Sequence, residues 1–358
     1  MNLPYNNTLD VRKFESMLET KNTLNSYKIL WLKAIIKKIE LNHTLISYNS
    51  IVCEMLLDSF DFVSVYHLRY GGTDRIPNII NKYDAKTKND LYMKILSDPN
   101  FDMITKSITG YVPYRLLTSF FESELRRLPD NQKNSRIIYL SKNNIDSLYI
   151  LNDNEKNILI NPIWKSYILD NISIIQAWID YKLIIFLQRR NPSIPNIPFK
   201  VTPIDTRNLT KQTKLWKNAI NHNPTLAFDL FLNSPINQYT TKIHGAFSLD
   251  HFIPYSFVMH NELWNLVPIH KNLNSTKSNH LPQDKFISSY INLQYDFFVT
   301  LRAFGNSKDY EDYLSLTNTT ENNLLEWDKE IFSKLMNDST VSLYKIAYNH
   351  GYTIWKGM

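Results

Sequence analysis

Through much of the first half of the chain, apolar residues recur every three to four positions, the period of a helix with a buried face. Behind Asn25 or Ser26, either of which can cap, Tyr27, Leu30, Trp31, Ala34 and Ile35 form such a stripe. Ile29, Leu32, Ile36 and Ile39 widen it, predicting a helix buried on more than one side. The same period predicts helices over 45–69 and 86–97, with Gly71-Gly72 turning the chain between them. After Pro162 a long helical stretch is expected over 161–190, with Trp164, Ile168, Ile172, Ile175, Trp178 and Tyr181 on its apolar side. The runs RIIYL (136–140), LYIL (148–151) and NILI (157–160) are short and rich in β-formers and read as strands.

Pro192, Pro195, Pro198 and Pro203 then interrupt the helical pattern, forbidding a helix and favouring an extended connector. Helical spacing resumes over 208–221 and again over 290–304, 310–316 and 324–336, and no internal repeat is visible. The expected organisation is a helical domain (1–190), a Pro-rich connector (191–205), a small mixed domain (206–290) and a helical extension (291–358). The fold class is mainly α with a small α+β part.

Composition narrows the picture. The 358 residues suffice for two or three domains, and 7 Gly with 15 Pro exclude a fibrous chain. A formal charge of +6 suits a polyanionic partner, and it is unevenly placed. Residues 1–200 carry 26 Lys and Arg against 20 Asp and Glu, 201–290 carry 8 against 5, and 291–358 carry 6 against 9. The last part is therefore not expected to face nucleic acid. A single cysteine, Cys53, excludes internal disulfides, and its apolar setting reads as an inert core thiol. The start MNLPYNNTLD lacks the apolar core of a secretory signal, and no apolar run approaches 18 residues. The expectation is a cytoplasmic protein without a membrane partner.

Candidate chemistry concentrates in residues 247–282, FSLDHFIPYSFVMHNELWNLVPIHKNLNSTKSNHLP. Five of the nine histidines lie between 244 and 280, but order matters more than crowding. An Asp250-His251 pair is followed by Pro254, by Asn265 fourteen residues after His251, and by Asn274 nine further on. The pattern predicts a strand ending at Asp250-His251, a loop containing Pro254, a second strand in ELWNLV and a short helix over 271–278. Taken singly, an Asp-His pair is commonplace, and Asn265 and Asn274 would be turn or cap residues. Together they pair hard oxygen donors with a proton acceptor, the parts of a metal-assisted hydrolytic site. Asp250 and the Asn274 amide offer hard oxygen ligands for Mg²⁺ or Mn²⁺, and His251, with an ordinary pKa near 6.5, can take a proton from water. Lys277, one turn beyond Asn274, and Lys271 are placed to contact phosphate. Lys211, Lys214 and Lys217, spaced by three on one helix, either track a phosphate backbone or form a solvated face.

This stretch closely resembles the HNH (ββα-metal) endonuclease family. DHFIP matches its Asp-His-x-x-Pro, LWNLVP its central Asn strand and NLNSTKSNHLP its Asn-x-x-Lys-Ser helix, with spacings like those of RNA-guided CRISPR nucleases and restriction-type HNH proteins. The resemblance implies a ββα-metal nuclease core that cleaves DNA, with His251 as general base, Asp250 and Asn274 as metal ligands, and Asn265 bracing the loop that holds His251. Many members place a zinc-binding Cys where His270 stands and another at Leu273, so no structural zinc is expected here. His270 is expected as a surface residue at the helix start, or behind the site or on phosphate. His244, His260 and His280 are expected at the surface. NTLNSYKILW, YVPYRLL and RRNPSIPNIP further resemble the N-terminal region of bacterial HNH proteins suspected in phage defence. That resemblance implies restriction or anti-phage defence, with self-association or a protein partner engaged through residues 1–190. The alternative is a nuclease subunit that stays silent until a sensor or guide complex binds.

Overall fold

A computed structural model describes residues 2–144, 146–203, 208–305, 307–316 and 326–357, without the side chains of Asn22 and Ser307. Residues 204–207, which hold the end of the expected connector and the start of 206–290, lie outside the described residues, as do Leu324 and Leu325 of the last expected helix. The chain is mainly helical with small antiparallel sheets and forms two compact units, Met1–Pro192 and Ser193–Met358. No helix among the described residues is long and apolar enough to cross a membrane.

In the first unit, helix α1 (Tyr27–Glu40) buries Ile29 to Leu32, Ala34 to Ile36 and Ile39, as its doubled stripe requires. Ser26 precedes it but does not cap with its side chain. Both its N–H and its hydroxyl donate to Asp74, at 2.8 and 2.7 Å. Strand β1 (Leu45–Ser47) stands where the periodicity predicts the start of a helix, and helix α2 (Tyr48–Ser64) begins only after Ser47 accepts from the Ser50 N–H at 3.2 Å. Three residues are too few for periodicity to reveal; pairing with Asn157, Ile158 and Leu159 makes them a strand. Strands β2 (Tyr149–Asn152) and β3 (Asn157–Ile160) follow, in sheet order β1-β3-β2, with Leu45 opposite Leu159 and Leu151 opposite Ile158. RIIYL, by contrast, lies inside the helix Asp130–Asn143, where Ile137, Leu140 and Ser141 share one buried face. A further helix, Ile76–Tyr83, fills the interval after the glycine turn. The stretch after Pro162 is two helices, Pro162–Asp170 and α3 (Ile172–Arg190), broken at Asn171, whose side-chain amide donates back to the Tyr167 carbonyl. Cys53 is half-buried rather than in the core, and burial pushes its thiol up to about 11, which favours the protonated form.

The second unit begins with a departure from expectation. Residues Ile197–Val201 of the proline-rich stretch form a one-turn helix, α4, with Pro198 in its first turn, where a missing N–H costs nothing. Helix α5 (Thr210–His222) buries Trp216 flat against Phe297 of helix α9 (Ile287–Phe304), with centroids 3.7 Å apart. Between them lie strands β4 (Phe228–Asp229) and β5 (Ser234–Pro235), helix α6 (Gln238–His244), strand β6 (Phe247–His251), helix α7 (Tyr255–Val258), strand β7 (Leu266–His270) and helix α8 (Lys271–Lys277). Residues from 290 onward close over the same core. Gln294 donates to the Leu266 carbonyl at 2.6 Å, Phe252 stacks on Tyr290 at 3.9 Å, and Tyr344 of helix α10 (Lys329–Asn349) donates to the Pro282 carbonyl at 2.7 Å. Trp355 packs with Ile269 and Leu273.

Candidate active site

The site grows from the β6–β7 hairpin and α8. The antiparallel register sets Leu249 against Pro268, Asp250 against Val267 and His251 against Leu266. All five residues of β7 are buried, so the register is pinned by its apolar contacts. β7 begins at Leu266, four residues into the run ELWNLV that the sequence predicts as a strand, and extends to His270. Leu263–Asn265 is a tight turn, and Asn265 stands at the mouth of the hairpin rather than within a strand. The expected loop after Pro254 contains α7, whose last turn is closed by Met259 in the left-handed region (φ 56°).

Asn265, fully buried, clasps the residues after His251. Its amide oxygen accepts from the Ile253 N–H at 2.8 Å, its amide nitrogen donates to the Ile253 carbonyl at 2.9 Å, and its own carbonyl accepts from Phe252 N–H at 2.7 Å. His251 lies 1% exposed beside the Tyr255 ring. Its Nε2 faces two acceptors at 3.1 Å, the His260 carbonyl and the Asn261 side-chain oxygen. Two acceptors require a hydrogen on Nε2, so the neutral ring carries its lone pair on Nδ1. Asn274, half-buried on α8, donates its amide nitrogen to Ser248 Oγ (2.9 Å) and to the Leu249 carbonyl (3.1 Å). That commits the nitrogen to the strand just before Asp250 and leaves the amide oxygen for another partner.

Lys277 departs from expectation. Rather than reaching for phosphate, it is fully buried, its ammonium 2.7 Å from Asp250 Oδ2 and 2.8 Å from the His251 carbonyl. A lysine one turn beyond Asn274 points the same way, and here that way is inward, tying α8 to the end of β6. Lys271 is exposed at the start of α8, and Lys211, Lys214 and Lys217 are exposed along α5. Lys214 and Lys217 border a cleft of about 770 Å³ with Asn208 and Thr213. The Asn208 carbonyl in turn accepts from Asn261 Nδ2 at 3.3 Å, linking that cleft to the residue that holds His251.

His270 is also corrected: it is fully buried rather than at the surface. Its Nδ1 lies 2.7 Å from Asp229 Oδ2, its N–H donates to the same oxygen at 2.8 Å, and its Nε2 meets Thr240 Oγ1 at 3.0 Å. Asp229 Oδ1 accepts from the N–H groups of Phe231 and Leu232 at 3.0 and 3.2 Å. A buried carboxylate with this many donors is well compensated. The pair staples β4 and α6 to the end of β7. His260 is half-buried against Trp264, and burial lowers its pKa, while His280 is exposed and bonded to Thr353.

Sequence reasoning did not find Asp229, Thr240, Asn261, Asn196 or Lys200. Only Asp229 left a signal, as a lone carboxylate inside the apolar run AFDLFL. Among the described residues no cluster of three or more His, Cys, Asp or Glu could hold a metal. An ion here would rest on Asp250 and the Asn274 oxygen. Both are hard donors, and the hydrogen bonds of Asn274 to β6 use its amide nitrogen and not its oxygen. They fit a divalent cation that takes most of its shell from water and phosphate.

Comparison with known proteins agrees with this hairpin and helix. Residues 229–283 match the model of a family described as HNH endonuclease. No curated protein and no solved structure matches the chain significantly. The matched stretch runs from Asp229, the partner of His270, through both strands and α8, so this chain carries a domain of the HNH endonuclease family.

Proposed function

We propose that the chain hydrolyses DNA phosphodiester bonds, with His251 as general base and with Asp250 and Asn274 holding Mg²⁺ or Mn²⁺. The observation that carries this reading is the convergence of β6 and α8. Asn274 is bonded to the residue before Asp250, and the Nε2–H of His251 is committed to backbone and amide acceptors. His251 Nδ1 is thereby the nitrogen that takes a proton from the attacking water. Asn265 holds the loop in which that ring sits, and the pairing of Lys277 with Asp250 orients the carboxylate. The cation, when bound, supplies charge stabilisation on the scissile phosphate. Lys211 and Lys214, with Lys271, are the exposed cations proposed to follow the backbone of the substrate. We propose restriction or anti-phage defence as its setting, the role suspected for many of the bacterial HNH proteins whose motifs it resembles.

One observation favours a second reading, a partner-activated nuclease. Asp250 is 3% and His251 1% exposed, and a scissile phosphate must reach both. Residues 1–190 are then the candidate surface for a sensor, a guide complex or a second copy. Purified full-length protein with supercoiled plasmid and Mg²⁺ separates the two. Cutting by the protein alone supports the first reading, and cutting only after a partner is added supports the second. DNA binding without cutting under either condition removes both.

A further inference from the structure

The proline-rich stretch has a task that its composition hides. Helix α7 is a single turn, so its last carbonyls have no partners within the helix. Two side chains from the stretch satisfy them. Lys200 Nζ donates to the Phe257 carbonyl at 2.7 Å, and Asn196 Nδ2 donates to the Val258 carbonyl at 2.7 Å. Asn196 reaches this position from the left-handed region (φ 54°), immediately before α4. The chain next turns at Met259 and delivers the His260 carbonyl and the Asn261 amide to His251 Nε2. From the other side, Gln212 of α5 donates to the Asn261 carbonyl at 3.1 Å. Lys200 is 2% exposed, and burial pulls its pKa down to about 7. Burying an amine carries a desolvation cost that an apolar side chain of equal length does not. An amine kept there has a purpose beyond filling space.

We propose that Lys200 and Asn196 are positioning residues for the nuclease: they clamp the end of α7 so that the 260–261 turn fixes the tautomer and orientation of His251. This rests on the reading of His251 as the base, and it assigns the task to residues lying before the stretch that matches the family. Misplacing a catalytic ring by about 1 Å lowers the rate by about a hundredfold without loosening ground-state binding.

The test uses the full chain labelled with ¹⁵N-histidine, with the His251 resonances assigned by their loss in H251A. In the unaltered protein these resonances show the Nε2–H tautomer. In K200M, and separately in N196A, that signature is expected to give way to mixed tautomers, although circular dichroism and the melting temperature report a folded chain. Single-turnover cleavage at saturating DNA is expected to fall about tenfold to a hundredfold, with DNA affinity unchanged. An unaltered Nε2–H signature in both variants overturns the proposal, and if K200M does not fold, N196A alone decides. The spectra do not depend on activity. A loss of tautomer order alongside full cleavage by H251A would therefore defeat the reading of His251 as base and leave the clamp standing.

Discussion

At the scale of single residues, the site divides into groups that act and groups that hold them. His251→Ala removes the base together with the two hydrogen bonds of its buried Nε2, so cleavage is expected to fall at least about a hundredfold, with a modest loss of stability, while the chain still folds and binds DNA; a supercoiled-plasmid assay with a parallel binding measurement checks this. Asp250→Ala removes the charged ligand and also strands the Lys277 ammonium at zero exposure. It is therefore expected to cost stability as well as Mg²⁺ use, about 3–5 kcal/mol for breaking a buried pair. Asn274→Ala removes a neutral ligand and two hydrogen bonds, so the milder loss is expected there, read as a higher Mg²⁺ requirement. Chelation should stop the unaltered protein and Mg²⁺ or Mn²⁺ restore it; undiminished cutting in excess chelator would end the metal reading. Away from the chemistry, Asp229→Ala leaves the N–H groups of Phe231, Leu232 and His270 and the His270 ring without their acceptor. A loss of roughly 3 kcal/mol or more in urea denaturation is expected, and an unchanged midpoint would show that the staple contributes nothing.

At the scale of elements, the short ones decide the site. α6 buries none of its residues, and its placement depends on Thr240 meeting His270 and on the turn at Gly245. Gly245 has φ +88°, and a side chain there would press on Asn272 Oδ1 at 2.8 Å. Gly245→Ala is expected to destabilise the second unit by roughly 1–3 kcal/mol, measured by thermal denaturation. The long helices were readable because their stripes repeat over several turns, as Leu30, Trp31 and Ile35 do in α1. The motif order Asp250-His251, Asn265, Asn274 was readable because its spacing is rigid. β1, α4 and α7 were not readable: each spans three to five residues, and each exists because a partner satisfies it. β3 pairs β1, while Lys200 and Asn196 finish α7.

At the scale of the whole molecule, buried amines give stability a pH dependence. Burial draws Lys200 down to about 7 and Lys28 down to about 8, both from 10.5. Between those values and 10.5 the unfolded chain binds more protons than the folded one, so stability rises with pH. Cys53 opposes this only higher up, because its folded value of about 11 stands above the unfolded 9.0 and favours unfolding as pH passes 9. Urea midpoints of the full chain are therefore expected to rise from pH 7 to pH 8.5, with a smaller rise in K200M; a flat profile would mean that neither amine is desolvated in solution.

Periodicity alone was enough for a mainly helical chain, because a helix exposes its buried face every turn whatever it packs against. Order and spacing alone were enough to place Asp250, His251 and Asn274 on one hairpin and helix, since covalent geometry limits where a strand, a turn and a helix of those lengths can bring them. The direction in which Lys277 points, the burial of His270 and the part played by the proline-rich stretch were settled only by packing. Lys277 finds Asp250 across α8 and β6, His270 finds Asp229 from 41 residues away, and Lys200 finds Phe257 from 57 residues away. Such pairs leave no local trace, because a polar side chain reads the same in sequence whether water or a distant carbonyl satisfies it.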